Sequence, residues 1–202
     1  MSELSQTQPP VRSKKTFYLL ILVFILPFTM AVLLHLFDLT PDGKSYGNLI
    51  QPPKSLQIPV LKDATGKAFN PEQWNKIWSI VTVDSTGCTA PCAARLHMLK
   101  QVHTSMNKEI DRIQRVLLVP IAIEADAYNE IQKQYPDLII LAGAETEMAK
   151  FSAEFNAANG GAAFNIFLVD PLGNLMMSYP DKFDPKGLRS DLTRLLKNSW
   201  AG

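Results

Sequence analysis

The feature that most limits how this chain can fold is an uncharged run of 21 residues, Phe17 to Phe37, FYLLILVFILPFTMAVLLHLF. As an α-helix it rises roughly 30 Å, about the hydrocarbon thickness of a bilayer. Pro27 and His35 are its only awkward residues. Proline is tolerated in membrane helices, and a histidine near the end of a span reaches the headgroups. A core helix of a soluble protein rarely runs so far without a charge. A cleaved signal peptide has a shorter apolar region and small residues at its cleavage site. Here the run leaves through His35-Leu36-Phe37-Asp38-Leu39-Thr40-Pro41, with no A-x-A pattern. The expectation is an uncleaved anchor.

Flanking charge sets the expected orientation. Arg12, Lys14 and Lys15 precede the run, and Asp38 and Asp42 follow it. The positive-inside rule then places the N-terminal tail in the cytoplasm. In a Gram-negative bacterium this gives a single-pass inner-membrane protein with a periplasmic C-terminal domain. The expected layout is a cytoplasmic tail at 1–16, a transmembrane helix at 17–37, a linker at 38–59 and a periplasmic domain at 60–202. The linker assignment rests on composition: DLTPDGKSYGNLIQPPKSLQIP is rich in Pro, Gly, Asp and Lys. Its apolar residues, Tyr46, Leu49, Ile50, Leu56 and Ile58, imply that it lies against the domain.

The outer segment holds the only two cysteines of the 202 residues, in Cys88-Thr89-Ala90-Pro91-Cys92. Placed at random, two residues fall four apart only about once in a hundred chains, so the spacing carries information. An apolar run, Ile77 to Val83, precedes them and reads as a buried strand. After them, Cys92, Leu96, Leu99, His103, Met106 and Ile110 alternate at four and three, one face of a helix. The remaining pattern gives a hairpin at 60–69, strands at 115–123 and 137–142, and helices at 126–135 and 145–155. A strand follows at 164–169, then a turn at Asp170-Pro171-Leu172-Gly173, a returning strand at 175–179 and a closing helix at 188–199. Asp184-Pro185 marks the start of that last helix. Strands alternating with helices indicate an α/β sheet covered on both faces. A cysteine pair at the first helix start, with a late hairpin and a closing helix, is the thioredoxin-like plan: a central mixed sheet with flanking helices, behind one N-terminal transmembrane helix.

Charge excludes little but nucleic acid. With 20 basic and 19 acidic side chains there is no basic stripe and no aromatic-plus-arginine platform.

Several segments resemble the SCO/SenC family, membrane-anchored thioredoxin-like proteins that help assemble the copper site of cytochrome c oxidase. Tyr46-Gly47-Asn48-Leu49-Ile50-Gln51-Pro52-Pro53 is similar to the segment leading into that family's domain. Lys76-Ile77-Trp78 resembles its entry to the strand before the cysteines. The three-residue gap between Cys88 and Cys92 is the family's, and Phe167-Leu168-Val169-Asp170-Pro171-Leu172-Gly173 is similar to its hairpin. The resemblance implies a role in respiratory oxidase assembly, with an oxidase subunit or another assembly factor as partner. Two departures stand out. Thr89 occupies the place of the family's proline after the first cysteine. The family's copper site adds a histidine some eight residues before the hairpin aspartate, which here counts back to Ala162, and no histidine follows His103.

Three chemistries remain open for the pair. Cys88 beside a helix N-terminus is placed to be an attacking thiolate, with Cys92 as the resolving thiol. Two thiolates also suit Cu(I), whereas Cu(II) needs an imidazole. His97 and His103 lie five and eleven residues beyond Cys92, axial offsets of about 7 and 16 Å, too far to share a metal with it. The third reading is a permanent disulfide, although so small a loop constrains the unfolded chain little. The expectation is a monomeric thiol–disulfide oxidoreductase with Cys88 and Cys92 as its catalytic residues. It requires no cofactor, and copper enters only as Cu(I) on the two thiols.

Overall fold

The protein is described here by a computed structural model. It covers residues 14–36, 45–63, 65–74, 76–84, 88–120, 125–158 and 166–199. Two compact units divide between residues 44 and 45.

The first unit contains α1, Lys14–Leu36, a single helix through the apolar run as far as Leu36; Phe37 lies outside the described residues. It is long and apolar enough to cross a membrane, and none of its span from Phe17 to Leu34 is buried in the protein. Phe24 and Phe28, for example, are more than 70% exposed. A helix with side chains this apolar on every side has no stable solution in water and matches a hydrocarbon surrounding.

The second unit is built on a seven-stranded mixed sheet. Its strands are β1 (Asn48–Ser55), β2 (Lys62–Asp63), β3 (Trp78–Val83), β4 (Ile113–Pro120), β5 (Leu138–Gly143), β6 (Ile166–Val169) and β7 (Asn174–Tyr179). The order across the sheet is β1-β7-β6-β3-β4-β5-β2. Strands β3, β4 and β5 are parallel neighbours, and the others pair antiparallel. The helices are α2 (Ala90–Thr104), α3 (Ala125–Gln134), α4 (Glu145–Ala158) and α5 (Pro185–Asn198).

Alternation along the central strands explains why helices cover both faces. On β4, Val116 and Leu118 join Phe151 and Phe155 of α4, while Leu117 and Val119 join Cys92 and Leu96 of α2. On β3, Val81 faces the α4 side, and Trp78 and Ile80 pack with Leu99 and Val102 of α2 and with Leu188, Leu192 and Leu196 of α5. The cysteine helix therefore lies beside α5 on one face, with its apolar stripe on the middle of the sheet. The β6–β7 turn is closed by Asp170, whose Oδ1 accepts the N–H groups of Leu172 and Asn174 at 2.9 and 2.8 Å. Gly173 takes φ +82° in that turn, which a side chain would resist.

The structure departs from the sequence reading in three places. Residues 48–55, inside the stretch read as linker, form edge strand β1 on β7. Proline cannot donate to a ladder, but on an edge, beside the irregularity between Leu49 and Lys54, Pro52 and Pro53 are tolerated. The helix after the cysteines ends at Thr104 rather than near Ile110. Asn107 follows in a left-handed conformation (φ +51°), and Asn107–Arg112 is a 3-10 turn. The expected hairpin at 60–69 forms, with the Asp63 N–H on the Lys67 carbonyl at 2.9 Å and the Phe69 N–H on the Leu61 carbonyl at 2.8 Å, but it does not stand alone: its first arm, β2, also joins the main sheet beside β5. Positions 121–123, Ala162 and the start of the strand expected at 164 lie outside the described residues.

Candidate functional site

Cys88 and Cys92 meet at the N-terminus of α2, where a disulfide joins them with α-carbons 4.9 Å apart. Two helical residues at that spacing would stand about 6 Å apart. The difference comes from Cys88, which precedes the helix and adopts φ +55°. Thr89 is the N-cap in extended conformation and Pro91 lies in the first turn. There the absent proline N–H costs nothing, because the first four N–H groups of a helix have no partner within it.

The two sulfurs sit in different surroundings. Cys92 is fully buried among Leu96, Leu117, Val119, Tyr135, Leu138 and Ile140. Cys88 is half-buried at the edge of that cluster, and its neighbours Thr89, Ala90 and Pro91 are exposed. Of the two, Cys88 is the more accessible to an incoming sulfur. Unpaired N–H groups and the helix dipole at this terminus favour a thiolate on the Cys88 sulfur.

A buried charge network lies directly behind. Asp84 follows β3, and its N–H bonds the Leu118 carbonyl at 3.0 Å. Its Oδ1 accepts the Cys88 N–H at 3.0 Å, and its Oδ2 takes Nη2 of Arg95 at 3.2 Å. Arg95 is only 4% exposed, and its Nη1 bonds Asp181 in the loop after β7. None of Asp84, Arg95 and Asp181 is singled out by the sequence pattern. One signal was there: Arg95 stands three residues past Cys92 on the face that carries Leu96 and Leu99. A charge on a buried face requires a partner.

The histidines are occupied elsewhere. His103 is buried, with Nε2 at 2.8 Å from the Ile113 carbonyl and 3.1 Å from that of Ile110. Its Nδ1 faces Asp137 at 3.5 Å. His97 is exposed beside Gln101. Among the described residues no three His, Cys, Asp or Glu side chains come together to hold a metal ion. Among the described residues the soft donors at the site are two sulfurs. They fit a Cu(I) dithiolate when reduced and do not fit a site completed by imidazole.

A family model described as "Transmembrane-like, thioredoxin-like, C-terminal domain" matches residues 78–199. The chain belongs to that family. Its thioredoxin-like domain carries the fold of the Sco proteins. Copper-bound yeast Sco1 superposes with a TM-score of 0.60 at 19% identity, over 72% of this chain and 94% of that one. A SCO1/SenC family lipoprotein from Bacillus anthracis gives 0.59 at 17% identity, over 73% and 99%. BsSco, a member of the Sco family of cytochrome c oxidase assembly proteins in which a disulfide switch was identified, gives 0.58 at 14% identity, over 73% and 96%. Identities this low establish the shared fold and mark this chain as a divergent case. Comparison with curated proteins finds no sequence match.

Proposed function

We propose that the chain is a membrane-anchored thiol–disulfide factor in the assembly of a respiratory (cytochrome c) oxidase, acting on the copper-site cysteines of a partner subunit. The observation that carries this is the asymmetric pair: half-buried Cys88 and fully buried Cys92 at a helix N-terminus, in a Sco-type frame. The thiolate of Cys88 attacks a partner disulfide, forming a mixed disulfide and releasing one partner thiolate. Cys92 then loses its proton and attacks the Cys88 sulfur, closing the Cys88–Cys92 disulfide and releasing the second partner thiolate. Two electrons pass to the partner, whose sulfurs take up two protons. A dithiol reductant restores the pair for the next cycle.

The basic flank at Arg12, Lys14 and Lys15 supports a cytoplasmic tail at 1–16, a span at 17–37 and a periplasmic domain. That compartment lets a disulfide persist. The chain acts as a monomer and takes no nucleic acid.

The test is to replace Cys92 with serine and trap mixed disulfides in membranes. A trapped oxidase subunit or assembly factor, together with loss of oxidase activity in Cys88→Ser, is expected. No trapped partner and intact oxidase activity in Cys88→Ser overturn the reading.

Copper delivery is a second reading, supported by the copper-bound structures of proteins that share this fold. Copper would then be cargo, carried as Cu(I) on the two thiolates. Anaerobic Cu(I) titration followed by oxidation separates the two. A stable Cu(II) species with thiolate charge-transfer absorption favours delivery, and its absence favours thiol exchange.

A further inference from the structure

Cys88 is neither Gly, Asn nor Asp, yet it holds φ +55°. A β-carbon crowds the following carbonyl in the left-handed region, so such a residue needs an outside hold. Its N–H is held by Asp84 Oδ1, and Asp84 is itself held twice, by its N–H on Leu118 and by Oδ2 on Arg95. Arg95 lies on α2 one turn past Cys92 and also binds Asp181. A single buried guanidinium thus ties together the end of β3, the backbone behind Cys88, the helix carrying Cys92 and the loop after β7.

We propose that Asp84 and Arg95 are positioning residues for Cys88: the carboxylate, braced by the guanidinium, clamps the Cys88 backbone in the left-handed turn that brings its sulfur onto that of Cys92. The clamp stays when the disulfide opens, because none of its bonds passes through sulfur. The reduced chain therefore keeps Cys88 poised for ring closure, and the disulfide is favoured over the dithiol. The purpose assigned to the clamp rests on the thiol-exchange reading above, but its measurement needs no partner protein.

The experiment uses the full-length chain in detergent, equilibrated with mixtures of reduced and oxidised dithiothreitol. Each protein disulfide reduced converts one dithiothreitol dithiol to its cyclic disulfide, with two electrons and two protons transferred. Alkylation and mass measurement give the reduced fraction. Asp84→Ala is expected to raise the equilibrium constant for reduction about tenfold, a shift of about 30 mV for a two-electron couple. Asp84→Asn keeps an oxygen acceptor for the Cys88 N–H but turns an N–H donor toward Arg95, so the brace is lost and a smaller shift than in Asp84→Ala, about threefold, is expected. An unchanged equilibrium in Asp84→Ala, with only a lower melting temperature, overturns the clamp. So does a shift in Asp84→Asn as large as in Asp84→Ala, which would assign the effect to charge alone. If Asp84→Ala does not fold, Asp181→Ala serves instead. Asp181 is half-exposed and removes only one brace of Arg95, so about a threefold shift in the same direction is expected, and none overturns the proposal. Failure to trap a partner with Cys92→Ser would leave all of these outcomes as they are.

Discussion

The Asp191 carboxylate, 2% exposed on α5, accepts the Tyr179 hydroxyl at 2.9 Å. The same oxygen accepts the N–H groups of Tyr46 and Gly47, each at 2.9 Å. One buried side chain thereby fastens the entry of the domain to its last strand and last helix. Burial first, and then the charge and hydrogen bond of Asp191, push the Tyr179 hydroxyl far above its ordinary pKa. It remains a donor at every pH the protein meets. Asp191→Ala leaves three donors without an acceptor and is expected to destabilise the domain by about 3 kcal/mol, whereas Tyr179→Phe costs about 1 kcal/mol. Urea unfolding of the full chain in detergent measures both.

The same clasp depends on two glycines. A β-carbon at Gly47 would lie 2.5 Å from the Tyr179 ring, and one at Gly187 2.6 Å from the ring of Tyr46. Gly47→Ala is the harsher change, since Tyr179 is buried and Tyr46 is 63% exposed. Expected losses are about 2–3 kcal/mol for Gly47→Ala and about 1 kcal/mol for Gly187→Ala. Adding Tyr46→Gly, which removes the β-carbon as well as the ring that a Gly187 side chain would meet, should relieve Gly187→Ala and leave Gly47→Ala unrelieved, read from melting temperatures of the four variants.

Arg115, 1% exposed, bonds both oxygens of Asp137 through Nη2 at 2.7 Å. Partial burial pushes the Asp137 carboxyl up, but the bonds and charge of Arg115 outweigh it and hold the group below its ordinary value. A carboxyl with a depressed folded pKa binds fewer protons folded than unfolded. Its contribution is complete above the ordinary aspartate range and is lost as the pH falls through the lower folded pKa. Asp137→Asn should therefore flatten the stability profile on the acid side of the ordinary aspartate pKa and lower stability at neutral pH. Denaturant midpoints across that range test the sign.

Burial at the cysteine pair predicts unequal reactivity. After reduction, Cys88 should alkylate at least about tenfold faster than Cys92, because Cys88 is half-buried at the helix N-terminus and Cys92 is fully buried. Timed iodoacetamide labelling with peptide mapping measures the ratio. Equal rates would remove the basis for calling Cys88 the attacking sulfur.

Much of the fold was legible in the order of residues, and for local reasons. The apolar run at α1 needs only its length and lack of charge. The helices and central strands show their own 3.6- and 2-residue periods. The cysteine spacing marks the site without reference to anything distant. What stayed illegible was set by partners far along the chain. The Pro-rich stretch 48–55 becomes a strand only because β7 offers it an edge. Thr104 ends α2 where the apolar spacing continues, because the chain must turn there into β4.

The sequence alone determined that an apolar helix precedes an α/β domain with two thiols at a strand-to-helix junction. It left open which sulfur is shielded and which charges stand behind them. Tertiary structure decided both. Cys92 is dry because β4 and β5 close over it, and Cys88 is held because Asp84, Arg95 and Asp181 converge. Arg95 and Asp181 are 86 residues apart, and Asp191 and Gly47 are 144 apart. No local period encodes such a meeting. A buried charge announces in sequence that it needs a partner, and only the packed sheet and helices decide which partner it meets.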